Sequence, residues 1–384
     1  MHLYSVSDYG QMIADKVRMA AYWQALRQAV KPGCVVLDIG TGVGVAAMLA
    51  CRLGARRVYA IEPNDAVWLA RELAAANGCA ESIEFIQGLS TTVTLPERAD
   101  VIVSDLRGVL PIYPGNVAAV ADARRRLLAP GGTLIPRRDD LWVAVARAPE
   151  LYRQQVGAWD DNGFGLDLRA ARRVVTSAYR KGRVSPDQLL VEPRCWATLD
   201  YTAAESAEVR AEVAWDVRRE GVAHGLVAWF DTTLADGVGF SNAPAAPELI
   251  YGSAFFPWPE PVALARGDRV KVTMESREVG KDYVWRWDAE VLAAGDPGAV
   301  RARFRQSDFF AQHRPLAGMR KQSNRYVPTL NEDGLIDRLI LTAMDGATPL
   351  EVVARQAAAR FPARFPRWED ALGRVGALSR TYTR

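Results

Sequence analysis

Two carboxylates that bracket a glycine-rich turn are the side chains in this sequence best spaced to do chemistry. In VVLDIGTGVGVAAMLACRLGARRVYAIE (35–62), Asp38 ends an apolar run. Gly40, Gly42 and Gly44 follow at alternate positions, and Glu62 closes a second apolar stretch. Glycines let the main chain bend sharply and let a ligand lie against the backbone. An acid at the end of the next strand commonly grips ribose hydroxyls. The third glycine stands two residues after the second, not three as in the dinucleotide fingerprint. A purely structural turn is the alternative, and Glu62 argues against it. These residues predict a nucleoside-type cofactor site. A second candidate is the loop SDLRGVLPIYPG (104–115), in which Asp105 and Tyr113 follow an apolar run.

Elements of alternating type must position these groups. Strands are expected near 34–38, 57–61, 83–87, 99–104 and 132–136, with helices at 45–53, 65–77 and 116–128. That alternation predicts a mostly parallel sheet with ligands at the carboxyl ends of its strands. A helical prelude precedes it, with Met12, Ile13, Val17, Ala20, Ala21 and Leu26 at near-helical spacing and Asp8 as a cap. After Pro136, short β-branched and aromatic runs at 141–145, 195–201, 212–217, 226–232, 269–275 and 283–291 predict a β-sandwich or barrel. Trp229 and Trp258 are expected in its core. The segment 149–183 interrupts these runs, partly helical and with exposed aromatics, as a functional or interface element would. A linker with a short strand follows from about Arg314. Helices are then expected at 331–344, 350–361 and 368–382.

Composition narrows the classes. With 48 basic and 45 acidic side chains, charge is nearly balanced, so neither a nucleic-acid nor a membrane partner is indicated. The four cysteines are scattered and histidines number three, so no metal site or disulfide framework is expected. Nothing resembles a signal peptide, and no apolar run reaches ~18 residues. A soluble, cytoplasmic protein is the expectation.

The glycine spacing resembles motif I of class I methyltransferases, which bind S-adenosyl-L-methionine. Together with VYAIE, IEFIQG, LPERADVIVSD, LLAPGGTLIPRR, HGLVAWFDTTL and FFPWPEPVALARGDRV, it is similar to the protein arginine methyltransferases. The resemblance implies a Rossmann-like cofactor domain over 1–137 with an N-terminal lid helix. It also implies an antiparallel β-barrel domain over 138–312, with a dimerisation arm at 149–183 and hence a homodimer. Glu62 would hold the ribose, Gly40, Gly42 and Gly44 would line the methionyl part, and Asp38 would orient the turn. Arg18 would pair with the methionyl carboxylate, and Ser90 and Thr91 would lie beside the adenine. The helices of 313–384 resemble PqqD-like winged-helix modules, which bind leader peptides; a helical cap is the alternative.

The catalytic loop departs from the family pattern of two glutamates. Asp105 stands at the first acid's place and Pro114 at the second's, while Arg107 adds a positive charge. The family's Thr-His-Trp segment falls near 249–251, without its His or Trp. Asp105 and Tyr113 are therefore the candidate catalytic residues, and an acceptor easier to methylate than guanidinium becomes admissible. The expected function is methyl transfer to a peptide or protein. A small-metabolite methyltransferase and a catalytically silent binding module are the competing readings.

Overall fold

The computed structural model describes residues 4–280, 282–295, 299–311 and 316–383. The chain divides into two compact units, 1–313 and 314–384.

The prelude is two helices, α1 (Val6–Ala14) and α2 (Lys16–Ala29), not one. Ser5 rather than Asp8 is the first N-cap. Asp8 closes the capping box by accepting from the Ser5 N–H at 2.7 Å. Asp15 leaves helical geometry and caps α2 through the Arg18 N–H, which breaks the helix there. Of the six apolar positions expected to dock, only Ala21 and Leu26 are buried.

Five strands follow: β1 (Val35–Ile39), β2 (Arg57–Glu62), β3 (Ile83–Gln87), β4 (Ala99–Ser104) and β5 (Leu128–Ile135). They pair in the order β3-β2-β1-β4-β5, all parallel. Helices α3 (Val45–Arg52), α4 (Ala66–Ala76) and α5 (Asn116–Arg126) connect them. Every residue of β1 is buried, as expected for a strand covered on both faces. The strand order reverses between β1 and β4, and the crevice at that switch point receives both the glycine turn and the loop 104–115. β5 starts earlier than expected, because the pairing skips from Ala99↔Leu128 to Val101↔Thr133 and absorbs Pro130-Gly131-Gly132.

The β-rich part holds β6 (Arg138–Ala146), α6 (Pro149–Asp160), α7 (Arg172–Val175) and β7 (Arg180–Gly182). Next come β8 (Arg194–Asp200), β9 (Val209–Asp216), β10 (Gly221–Ala235), β11 (Val238–Ser241) and β12 (Ser253–Leu264). β13 (Arg269–Val279), β14 (Asp282–Leu292) and β15 (Val300–Ser307) complete it. These strands form two antiparallel sheets, β7-β12-β10-β6-β8 with β11 against β10, and β15-β14-β13-β9. Trp229, Trp258, Trp285 and Trp287 are buried in the core they share with the parallel sheet. Trp229 and Trp258 are thus core, as expected. β12 is not among the expected strands, and it carries Pro257, Pro259 and Pro261; its pairing with β10 shifts register between Ala223 and Gly225.

The second unit holds α8 (Leu316–Lys321), α9 (Glu332–Ala343), α10 (Leu350–Arg360) and α11 (Trp368–Tyr382); its core joins Ile336 and Ile340 of α9, Val353 and Ala357 of α10 and Val375 of α11 with Phe365 from the connection between α10 and α11. The described residues of this unit contain no strand. The expected short strand is absent there, and the winged-helix likeness extends only to helices.

Candidate active site

Gly40, Gly42 and Gly44 have φ of +72°, +57° and +84°, backbone that side-chain-bearing residues rarely adopt. Asp38 fixes the turn by accepting from Thr41 Oγ1 at 2.6 Å and from the Ala47 N–H at 3.1 Å. Burial pushes its carboxyl up to about 7 despite those bonds. Glu62 stands beside the turn. One of its oxygens accepts from the Gly42 N–H at 2.8 Å and the other from the Asn64 N–H at 2.9 Å. Burial raises it above the usual range. Each Glu62 oxygen keeps acceptor capacity for one hydroxyl of a vicinal diol. Tyr9 covers Gly42 and Leu106 covers Gly40, each so closely that a Cβ would lie 2.5 Å from the covering side chain. Ser90 and Thr91 follow β3 beside Glu62. Ser90 is buried, its carbonyl held by Arg126 at 2.8 Å, and Thr91 is exposed. A glycine turn roofed by Tyr9 and Leu106, beside a carboxylate with acceptor capacity for a vicinal diol, fits a nucleoside-bearing cofactor.

The raised Asp38 value gives a pH prediction. Its folded value exceeds the ordinary ~3.9, so its contribution to stability is complete below about pH 4 and is lost as pH rises through about 7. Between pH 5.5 and 8 this should remove about 2 kcal/mol. Asp38→Asn imitates the protonated form and should abolish that slope in urea unfolding. An unchanged slope would refute the assignment.

The loop after β4 carries the second centre. Asp105 Oδ2 accepts from Arg18 Nε at 2.7 Å and from the Tyr251 hydroxyl at 2.5 Å, and lies 2.5 Å from Arg18 Nη2. Asp105 Oδ1 accepts from Arg107 Nη1 at 3.0 Å. Burial would raise Asp105, but the two guanidinium groups outweigh it and hold the carboxyl below its usual range. Arg107 grips Asp139 through Nε and Nη2 at 2.9 and 3.1 Å. It also donates to Thr232 Oγ1 at 2.7 Å and to the Tyr22 hydroxyl at 2.9 Å. All five of its N–H groups are therefore engaged. Tyr113 packs its ring on Gly108 and lies beside Tyr4 of the prelude.

The structure thus gathers Arg18 and Asp105 at one point, with Asp38, the glycines and Glu62 at the neighbouring strand ends. Arg18, assigned from the resemblance to the cofactor carboxylate, here pairs with Asp105. Sequence reasoning missed Tyr251, Asp139, Thr232, Tyr22 and Tyr9. Tyr251 lay in plain view, inside the segment noted only for lacking the Thr-His-Trp residues. It stacks on Phe240, with ring centroids 5.7 Å apart, and reaches Asp105 from the β-rich part. Asp15, besides capping α2, accepts from the Ile250 N–H at 2.8 Å and ties the prelude to that segment.

A parallel sheet with this turn and acid defines a class I methyltransferase site. Residues 20–135 match the family "Ribosomal protein L11 methyltransferase (PrmA)", and residues 138–288 match "Arginine methyltransferase oligomerization subdomain". The protein arginine N-methyltransferase PRMT10 of Oryza sativa subsp. japonica is 31% identical over 301 residues, covering 68% of this chain and 78% of its own. Protein arginine N-methyltransferase 1 of Dictyostelium discoideum is 26% identical over 289 residues, covering 72% and 84%. Among solved structures, Arabidopsis thaliana protein arginine methyltransferase 10 superposes with a TM-score of 0.69 at 22% identity, over 79% of this chain and 97% of that one. A chain of the Trypanosoma brucei PRMT1 enzyme-prozyme complex with AdoHcy gives 0.71 at 22% identity, over 78% and 96%. The chain belongs to the protein arginine methyltransferase family and is an S-adenosylmethionine-dependent methyltransferase.

Among the described residues no group of His, Cys, Asp and Glu could hold a metal ion, and no helix is long and apolar enough to cross a membrane.

Proposed function

We propose that this enzyme methylates a side chain of a peptide or protein, working as a two-fold dimer. The observation that carries the reading is the placement of Asp105 at the β4 end, one strand from the cofactor turn and beneath the prelude helices. S-adenosylmethionine, when bound at the turn, supplies a methyl group already activated on a cationic sulfur. Glu62 would hold the ribose, and Gly40, Gly42 and Gly44 would line the methionyl part, while Arg18 stays paired with Asp105. Asp105 orients the acceptor, while Tyr9 and Leu106 exclude water from the turn. The relatives named above are protein arginine methyltransferases, which supports a peptide or protein acceptor.

Transfer of an isotopic methyl label to peptides tests the reading. Asp105→Asn should lower the rate by ~10²-fold or more with cofactor affinity nearly unchanged. Full activity in that variant would remove Asp105 from the mechanism.

The dimer rests on the oligomerization-subdomain match and on 149–183, where Phe164 is 83% and Leu166 60% exposed. Light scattering at micromolar concentration should give twice the chain mass, and Phe164→Asp should shift it towards the monomer. A fully active monomer would refute the dimer.

A further inference from the structure

We propose that the acceptor is an uncharged imidazole nitrogen, the side chain of a histidine in the substrate; this rests on the peptide or protein reading above.

Asp105 is the only carboxylate in the loop 104–115. It already faces two cations, Arg18 and Arg107, and Asp139 is taken up by Arg107. Two acids and two arginines cancel. The site has no surplus negative charge with which to hold a guanidinium or ammonium group or to localise its proton.

Among the described residues no free base faces Asp105: Asp38, raised to about 7, is held within the glycine turn by Thr41 and Ala47. The paired arginines keep Asp105 ionised and weakly basic. Burial pushes Tyr4 up to about 12 and also raises Tyr9, Tyr22 and Tyr251, so these hydroxyls stay protonated. His224, the one histidine among the described residues, packs on Tyr152 in the β-rich part, with ring centroids 5.6 Å apart. An alcohol, amide, ammonium or guanidinium must shed a proton to attack, and none of the described residues beside Asp105 is placed to take it. A carboxylate or thiolate needs no base but would meet the Asp105 charge, and every N–H of Arg107 is engaged.

A neutral imidazole satisfies each condition. Its pyridine-like nitrogen carries a free lone pair at neutral pH, and its other nitrogen bears an N–H. Asp105 Oδ2 is taken up by Arg18 and Tyr251, whereas Oδ1 accepts from Arg107 and has capacity for that N–H. The ring lone pair forms the new N–C bond as the methyl's bond to sulfur breaks, its electron pair remaining on sulfur. The methylated ring, then cationic, releases its N–H proton to water.

The test uses the full chain, methyl-labelled S-adenosylmethionine and peptide libraries that differ only in one fixed residue, His, Arg, Lys, Ser or Asn. Tandem mass spectrometry places the label. The expected result is label on histidine, at least about tenfold above arginine. Label chiefly on arginine or another side chain would overturn the acceptor assignment and leave peptide methylation standing. No label in any library, from protein whose melting temperature the cofactor still raises, would overturn the peptide reading and the proposal with it. Calorimetry with the demethylated cofactor product gives a readout free of turnover. The histidine peptide should bind more tightly than its arginine counterpart, and the opposite order counts against the proposal.

Discussion

Replacing Glu62 with alanine should weaken S-adenosylmethionine binding by about 10²–10⁴-fold, because two charge-assisted hydrogen bonds worth ~1.5–3 kcal/mol each are lost together. The geometry gives this size. Backbone N–H groups of Gly42 and Asn64 hold the two oxygens at 2.8 and 2.9 Å, so the carboxylate is already aimed before a ligand arrives. Little entropy remains to be lost on binding. Glu62→Gln keeps one acceptor oxygen and should fall between the two. Alanine also strands both N–H groups, so each variant must be compared with its own ligand-free baseline. In the parent, ligand at ~100 times its dissociation constant should add ~2.7 kcal/mol of stability, and Glu62→Ala at the same concentration should gain almost none. Parent-like affinity in Glu62→Ala by calorimetry would sink the ribose assignment.

The residues of the cofactor turn were legible because their work is local. Asp38 bonds Thr41 and Ala47 within the same turn, and Glu62 ends the strand paired with β1. Periodicity alone finds such a unit. The substrate side depends on contacts that no local pattern carries. In the sequence Arg107 is an added positive charge in the catalytic loop, with no partner in view. Its partner Asp139 lies 32 positions away and Thr232 lies 125 away, so its neutralisation emerges only when β4, β6 and β10 come together. Arg18 shows the same limit: its place on the prelude was evident, but its bond to Asp105 spans 87 positions. β12 falls outside the expected strands for another reason. Its three prolines are uncommon inside strands, and here a register shift accommodates them.

Asp139→Asn should cost the fold about 3–5 kcal/mol, a large share of the ~5–15 kcal/mol that holds a domain together. Asp139 is fully buried. It takes two bonds from Arg107 and one from the Tyr201 hydroxyl at 2.7 Å. Burial disfavours the Arg107 charge, and Asp139 first, then Tyr22 and Asp105, outweigh it and keep the group protonated. Asparagine fills the same space but removes the charge, leaving a buried guanidinium to share Asp105 with Arg18. The penalty is that of an unpaired buried cation, not the net worth of the ion pair. Removing both partners separates the two. Arg107→Met combined with Asp139→Leu should recover part of the lost stability, since an apolar pair of similar volume needs no compensation. That double variant should still methylate poorly, because Asp105 then loses one of the two cations that keep it ionised. Urea unfolding at pH 7.5 supplies the stabilities, and labelled methyl transfer supplies the rates. A loss below ~1 kcal/mol in Asp139→Asn, the range of exposed ion pairs, would mean that water reaches Arg107 and that the charge balance drawn around Asp105 is wrong.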